Sequence, residues 1–160
     1  MHRSLSRLGT TLLAAAMMVV VPAAASSAAG ADALTVHERG IDINPDSQNP
    51  CTGAMGTVVD VNDIHFHITT RPDGTIEDNG HDTADVTFAP DDASQPSYHG
   101  HETYAFHDTG SGDTHTTTTT FHVRMNGTDG GWLDVRETAH LMLGPDGPTV
   151  SFDRARLSCS

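Results

Sequence analysis

Lysine is absent from the chain. With it go Schiff-base chemistry and every mechanism that needs an amine nucleophile. Positive charge is scarce altogether: 8 arginines stand against 21 acidic residues, for a formal net charge of −13. A surface of that sign repels nucleic acid and anionic membranes, which all but excludes a nucleic-acid role. Aromatic residues are few as well, with one Trp, two Tyr and five Phe. They read as core or rim residues and cannot make a stacking platform. There is no H-E-x-x-H stretch, no G-x-S-x-G elbow and no phosphate-cradling P-loop. After residue 31 no window shows a helical period.

The one long apolar run is at the N-terminus. Arg3 and Arg7 precede "LGTTLLAAAMMVVVPAAA", and "AAASSAAGA" follows with small residues suited to signal cleavage. Residues 1–31 are therefore expected to be a signal peptide, cut somewhere in 25–31. Pro22 and the shortness of the run argue against a retained membrane anchor. The expected mature chain, residues 32–160, forms one domain without a membrane span. It keeps all 21 acidic residues and 6 of the 8 arginines, a net charge of −15. Cys51 and Cys159 are its two cysteines. In an exported protein such a pair reads as a disulfide.

Runs of Val, Ile, Thr, Phe and Tyr alternate with clusters of Gly, Pro and Asp. This predicts strands over about 55–70, 74–88, 97–108, 113–126, 131–144 and 148–158. "ALTVHER" reads as a lead-in strand and "NPDSQNP" as a loop. Links as short as "RPDG", "TGSG", "GTDGG" and "GPDG" join antiparallel neighbours. The fold class is thus all-β, an antiparallel meander closing into a small barrel, with a two-sheet β-sandwich as the alternative.

Counting across the turns orients the faces. Pairing Asp108 with Asp113 sets Tyr98 opposite Val123. Pairing Asn126 with Trp132 sets Val123 opposite Val135 and Arg124 opposite Asp134, as an exposed ion pair. Pairing Leu143 with Pro148 sets Glu137 opposite Arg154 on the inner face. Glu102 and Tyr104 fall on that face too, so Glu102, Tyr104, Glu137 and Arg154 are the candidate ligand-binding residues. In "DIHFHITT" the apolar positions change parity near Asn62–Asp63, which predicts a bulge there. His65 and His67 then point outward.

Ten histidines follow residue 31. The turn count places His122 opposite His99, so His99, His101 and His122 are the candidate metal ligands. Neutral imidazoles in that arrangement suit zinc or copper. No cofactor is otherwise indicated.

The segments "NPCTGAMGTV", "HITTRPDGT", "TTTFHVRMNGTDGGWLDVRETAHLML" and "VSFDRARLSC" resemble a group of secreted actinobacterial proteins of unknown function. These have an N-P-C-[TN]-G start, an H-E-T-like strand before the last hairpin and a terminal cysteine. In "RETAH" Arg136 stands where that group leads one to expect His. The resemblance implies export and a β-rich, barrel-like domain, and it supplies no catalytic residue. The expectation is a secreted, non-catalytic binder of a small molecule or an extracellular partner. A metal-binding protein or metalloenzyme is one alternative, and a structural envelope-associated protein another.

Overall fold

The computed structural model describes residues 31–160, so all of the expected leader except Ala31 lies outside the described residues. Seven strands form one antiparallel sheet in chain order. They are β1 (Asp32–Gln48), β2 (Met55–Thr70), β3 (Ile76–Pro90), β4 (Tyr98–Ser111), β5 (Thr114–Gly127), β6 (Trp132–Gly144) and β7 (Gly147–Cys159). The all-β antiparallel meander is as expected. The sheet is nevertheless open: β1 and β7 are its two edges and do not pair with each other. Hydrogen bonding alone therefore closes no barrel among the described residues.

What ties the edges is covalent. Cys51, in the loop after β1, is bonded to Cys159 at the end of β7, with Cα atoms 5.8 Å apart. The core gathers at that end of the sheet. Ala84, Val86, Phe88, Tyr98, Val123, Met125 and Leu133 are buried there, with Cys51, Val58, Phe121 and Val135 packed against them. Inward-facing glycines let the sheet curl this tightly. A Cβ on Gly80 would meet Phe66, Phe106 and the His65 carbonyl at 2.7 Å, and one on Gly100 would collide with the Arg124 carbonyl.

Several expected registers need correction. The β5–β6 pairing is as counted, with Asn126 opposite Trp132 and Val123 opposite Val135. Arg124 does lie opposite Asp134, but Arg136 makes the ion pair, its Nε 2.9 Å from Asp134, while Arg124 sits over the Trp132 ring. The β4–β5 hairpin is tighter than expected, because Gly112 takes a positive φ of 56° and Ser111 pairs with Thr114. Partners shift by four residues, so Tyr98 faces Gly127 and His122 faces Thr103. An even shift preserves the faces.

The β6–β7 shift is odd, and its consequence is larger. Leu143 pairs with Pro148 as counted, but Met142 pairs with Val150, leaving Thr149 as an extra residue. Every later residue of β7 changes face. Glu137 lies opposite Ala155 rather than Arg154, and Arg154 is exposed on the outer side opposite Thr138. The same bulge turns Cys159 to the inner face, opposite Leu133, where Cys51 meets it.

Two more expectations fail at β1 and β2. "NPDSQNP" is mostly strand: β1 runs to Gln48 through an irregularity between Asn44 and Ser47, where Asp46 has a φ of 58°. An edge strand tolerates Pro45 because its missing N–H need not enter a ladder. No bulge occurs at Asn62–Asp63, since β2 pairs continuously with β3 from Gly56 to Thr70. The change of parity arises because Asp60 and Asn62 face inward. Val59 and Val61 point out beside Ile43 and Ile41, an exposed apolar patch.

Replacing both cysteines by serine frees a loop of 108 residues. The expected cost is about 5 kcal/mol in the chain-entropy model, or roughly 10–20 °C in Tm. Thermal unfolding followed by circular dichroism measures it, and a change under 2–3 °C would contradict the stapling role. Deleting Thr149 is expected to turn Cys159 outward and leave two thiols that titrate in the folded protein.

Candidate functional site

The inner face changes character along the strands. At the stapled end it forms an apolar cup of about 250 Å³, walled by Val58, Val86, Phe121, Val123, Met125 and Val135. Alternation along each strand puts these residues on one side, and the curl brings five strands around them. Three polar residues also line the cup, Gln48, Asn49 and Glu102.

Asn49 is 2% exposed. Its Oδ1 accepts hydrogen bonds from the Cys51 and Thr52 backbone amides at 2.9 and 3.2 Å. It thereby shapes the loop that presents Cys51. Its Nδ2 has no partner among the described residues. A buried amide donor left unpaired is costly, and a ligand acceptor would satisfy it.

Glu102 lies between Ala84 and Val123 on its neighbouring strands. Burial, followed by the nearby Asp60 and Asp82 carboxylates, pushes its pKa up to about 7. Asp60 is itself raised, by burial and by Asp42 opposite it. Asp82 is raised mainly by burial. Each of these two aspartates has a buried Oδ1 with no hydrogen-bond partner among the described residues. Asn62 offsets part of this charge by donating from Nδ2 to Asp42 at 2.5 Å. The cup therefore opens onto a band of carboxyl groups that repel one another.

Tyr104 continues the same face two residues beyond Glu102, opposite Asp82 and Phe121. Burial, Asp108 and Glu137 raise its hydroxyl pKa. Glu137 lies opposite Phe121 on that face. Three of the four expected ligand-binding residues are thus brought to one surface, and Arg154 is not. Asn49, Asp60 and Asp82 were missed. Asn49 sits in a stretch read as loop, and the two aspartates lie where acidic residues ordinarily face solvent.

On the outer face His99, His101 and His122 are not brought together. His99 pairs with Thr87 and Asn126, and His101 with Asp85 and Arg124. His101 Nδ1 contacts Asp85 at 2.7 Å, whereas His122 Nε2 contacts Asp134 at 3.1 Å. The H-x-H pair of β2 divides its work. His67 is held between Thr35 and Thr69, at 2.9 and 3.1 Å. His65 turns to Asp63, in a cluster with His37 whose ligating atoms all lie within 4.8 Å of one another. His37 escaped notice because its register on β1 could not be counted through a segment read as loop.

Glu102 generates a pH dependence of definite sign. Its folded pKa is raised from 4.5 to about 7, so its contribution to stability is complete below about 4.5 and lost as pH rises through about 7. Glu102→Gln is expected to match wild type near pH 4.5 and to exceed it by about 1–2 kcal/mol at pH 8, allowing for solvent screening. Urea unfolding at both pH values checks this; equal differences would remove Glu102 from the titration.

No protein-family model matches the chain, and no curated protein or solved structure is significantly similar to it.

Proposed function

We propose that the protein is an exported, non-catalytic binder of a small molecule held in the inner cup. One observation carries this reading: a cup with apolar walls that also presents an unpaired buried amide and a carboxyl group with a raised pKa. Few convergent polar groups on an apolar wall are the usual composition of a ligand site. The volume is below the roughly 300–1,000 Å³ of drug-sized sites, so the ligand is small. Its body is apolar, and its head is neutral or cationic, since Glu102, Asp60 and Asp82 disfavour an anion.

Export is supported by the Cys51–Cys159 bond, because such bonds persist in oxidising compartments. The leader-like N-terminus and the resemblance to secreted actinobacterial proteins point the same way. Among the described residues no helix is long and apolar enough to cross a membrane. A second reading, in which the protein holds zinc or copper, is favoured by the cluster of His37, Asp63 and His65.

The test compares three probes that share one aromatic body: phenethylamine, phenethyl alcohol and 3-phenylpropanoate. Nitrogen–proton correlation spectra are expected to show saturable shifts at cup residues, strongest for the amine and weakest for the carboxylate. Val135→Trp, which fills the cup, is expected to abolish them, and Glu102→Gln to reduce the preference for the amine. Absence of saturable shifts for all three probes would defeat the proposal.

A further inference from the structure

The outer face carries a second constellation, separate from the cup. Continuous pairing of β1, β2 and β3 sets His37 opposite His65 and His65 opposite His81. Their rings stack, with centroids 3.9 Å apart for the first pair and 5.1 Å for the second. Asp63, two residues before His65, shares this face. Its Oδ1 lies 2.7 Å from His37 Nε2 and 2.9 Å from His65 Nε2. Its other oxygen, Oδ2, accepts a hydrogen bond from Arg39 at 2.8 Å. His37 and His65 are nearly half exposed and Asp63 is 29% exposed, so an ion from solution reaches all three.

We propose that His37, Asp63 and His65 form a site for one zinc or copper(II) ion, with solvent completing the coordination. The donor set decides the class of metal. Two imidazole nitrogens and one carboxylate oxygen suit ions of intermediate softness. Calcium takes six to eight oxygens, and magnesium keeps a near-octahedral oxygen shell. Three protein ligands and an open position are an established zinc arrangement.

At each contact of 2.7–2.9 Å an imidazole Nε2–H donates a hydrogen bond to Oδ1, and an ion that takes the Nε2 lone pair leaves that hydrogen on Nδ1. Ligand atoms around a tetrahedral zinc ion lie about 3.3 Å apart, given bonds of about 2.0–2.1 Å. The two nitrogen–oxygen contacts therefore have to open by roughly half an ångström, which rotation of the stacked rings allows. Half-exposed side chains do this without disturbing the sheet. Arg39 stays on Oδ2 and acts as a positioning residue, holding Asp63 with Oδ1 toward the imidazoles.

The experiment uses untagged protein as exported, stripped with EDTA and titrated calorimetrically with zinc chloride and with copper sulfate at pH 7.5. The expected result is one ion per chain. The double variant His37→Gln/His65→Gln is expected to weaken binding at least about tenfold, while His99→Gln/His101→Gln leaves it unchanged. Copper(II) spin resonance should show splitting from two nitrogens, lost in the first variant only. Equal melting temperatures in EDTA establish that loss of binding is not loss of fold. Three results would overturn the site: no saturable binding, no response to the first variant, or an equal response to both. Binding at the cup is read separately with organic probes and does not depend on this outcome.

Discussion

The bond between Cys51 and Cys159 is the constraint from which the rest of the molecule follows. A seven-stranded meander has two unpaired edges, and here the disulfide ties the loop after one edge strand to the end of the other. The bond needs Cys159 on the inner face, and a single extra residue, Thr149, puts it there. Bulge, disulfide and core are thus one device. The buried residues lie at the stapled end because only there does the sheet wrap far enough to exclude water from both sides of a side chain.

Away from the staple the inner face is acidic, and a fully closed core would not tolerate it. Asp60, Asp82 and Glu102 all have raised pKa values, with burial the first cause in each. Asp78 repeats the pattern one level further out, raised by burial and then by the carboxylate of Asp108 directly opposite it. Isolated carboxylates inside a dry core would cost far more than this fold can supply. An open trough lets water reach them, so the penalty appears as shifted titration and not as unfolding. The same repulsion makes the mouth of the cup receptive to a neutral or positive group.

How much of this was legible depended on parity. The strand positions and the cysteine pair follow from composition and spacing, because β-prone runs bounded by Gly and Pro leave little choice. The β5–β6 register could be counted across "GTDGG" because no residue there is bulged. The β4–β5 count failed by four and still kept Glu102, Tyr104 and Val123 on the correct side. The β6–β7 count failed by one, and that single residue moved Arg154 from the inner face to the outer. Thr149 carries no local signal of a bulge: it is a β-favouring residue in a β-favouring run. The histidine row was hidden for a related reason. Reading "NPDSQNP" as loop removed the only route by which His37 could be placed beside His65.

Both candidate sites meet on β2, which accounts for the mixed parity of "VVDVNDIHFH". Even positions of this strand, Val58, Asp60 and Asn62, belong to the cup and its acidic band. Odd positions, Asp63 and His65, belong to the imidazole row. A strand paired on both sides is held in one register by two ladders, so neither set of side chains can slip toward the other face. Each surface can then change its chemistry by substitution at alternate positions while the backbone hydrogen bonds stay as they are. With Val58, Asp60 and Asn62 held inward, a bulge at Asn62–Asp63 would have sent Asp63 and His65 inward as well, into a band already crowded with negative charge. The unbroken ladder of β2 is what keeps the carboxylate of Asp63 outside, where it accepts hydrogen bonds from the imidazoles and is paired with Arg39.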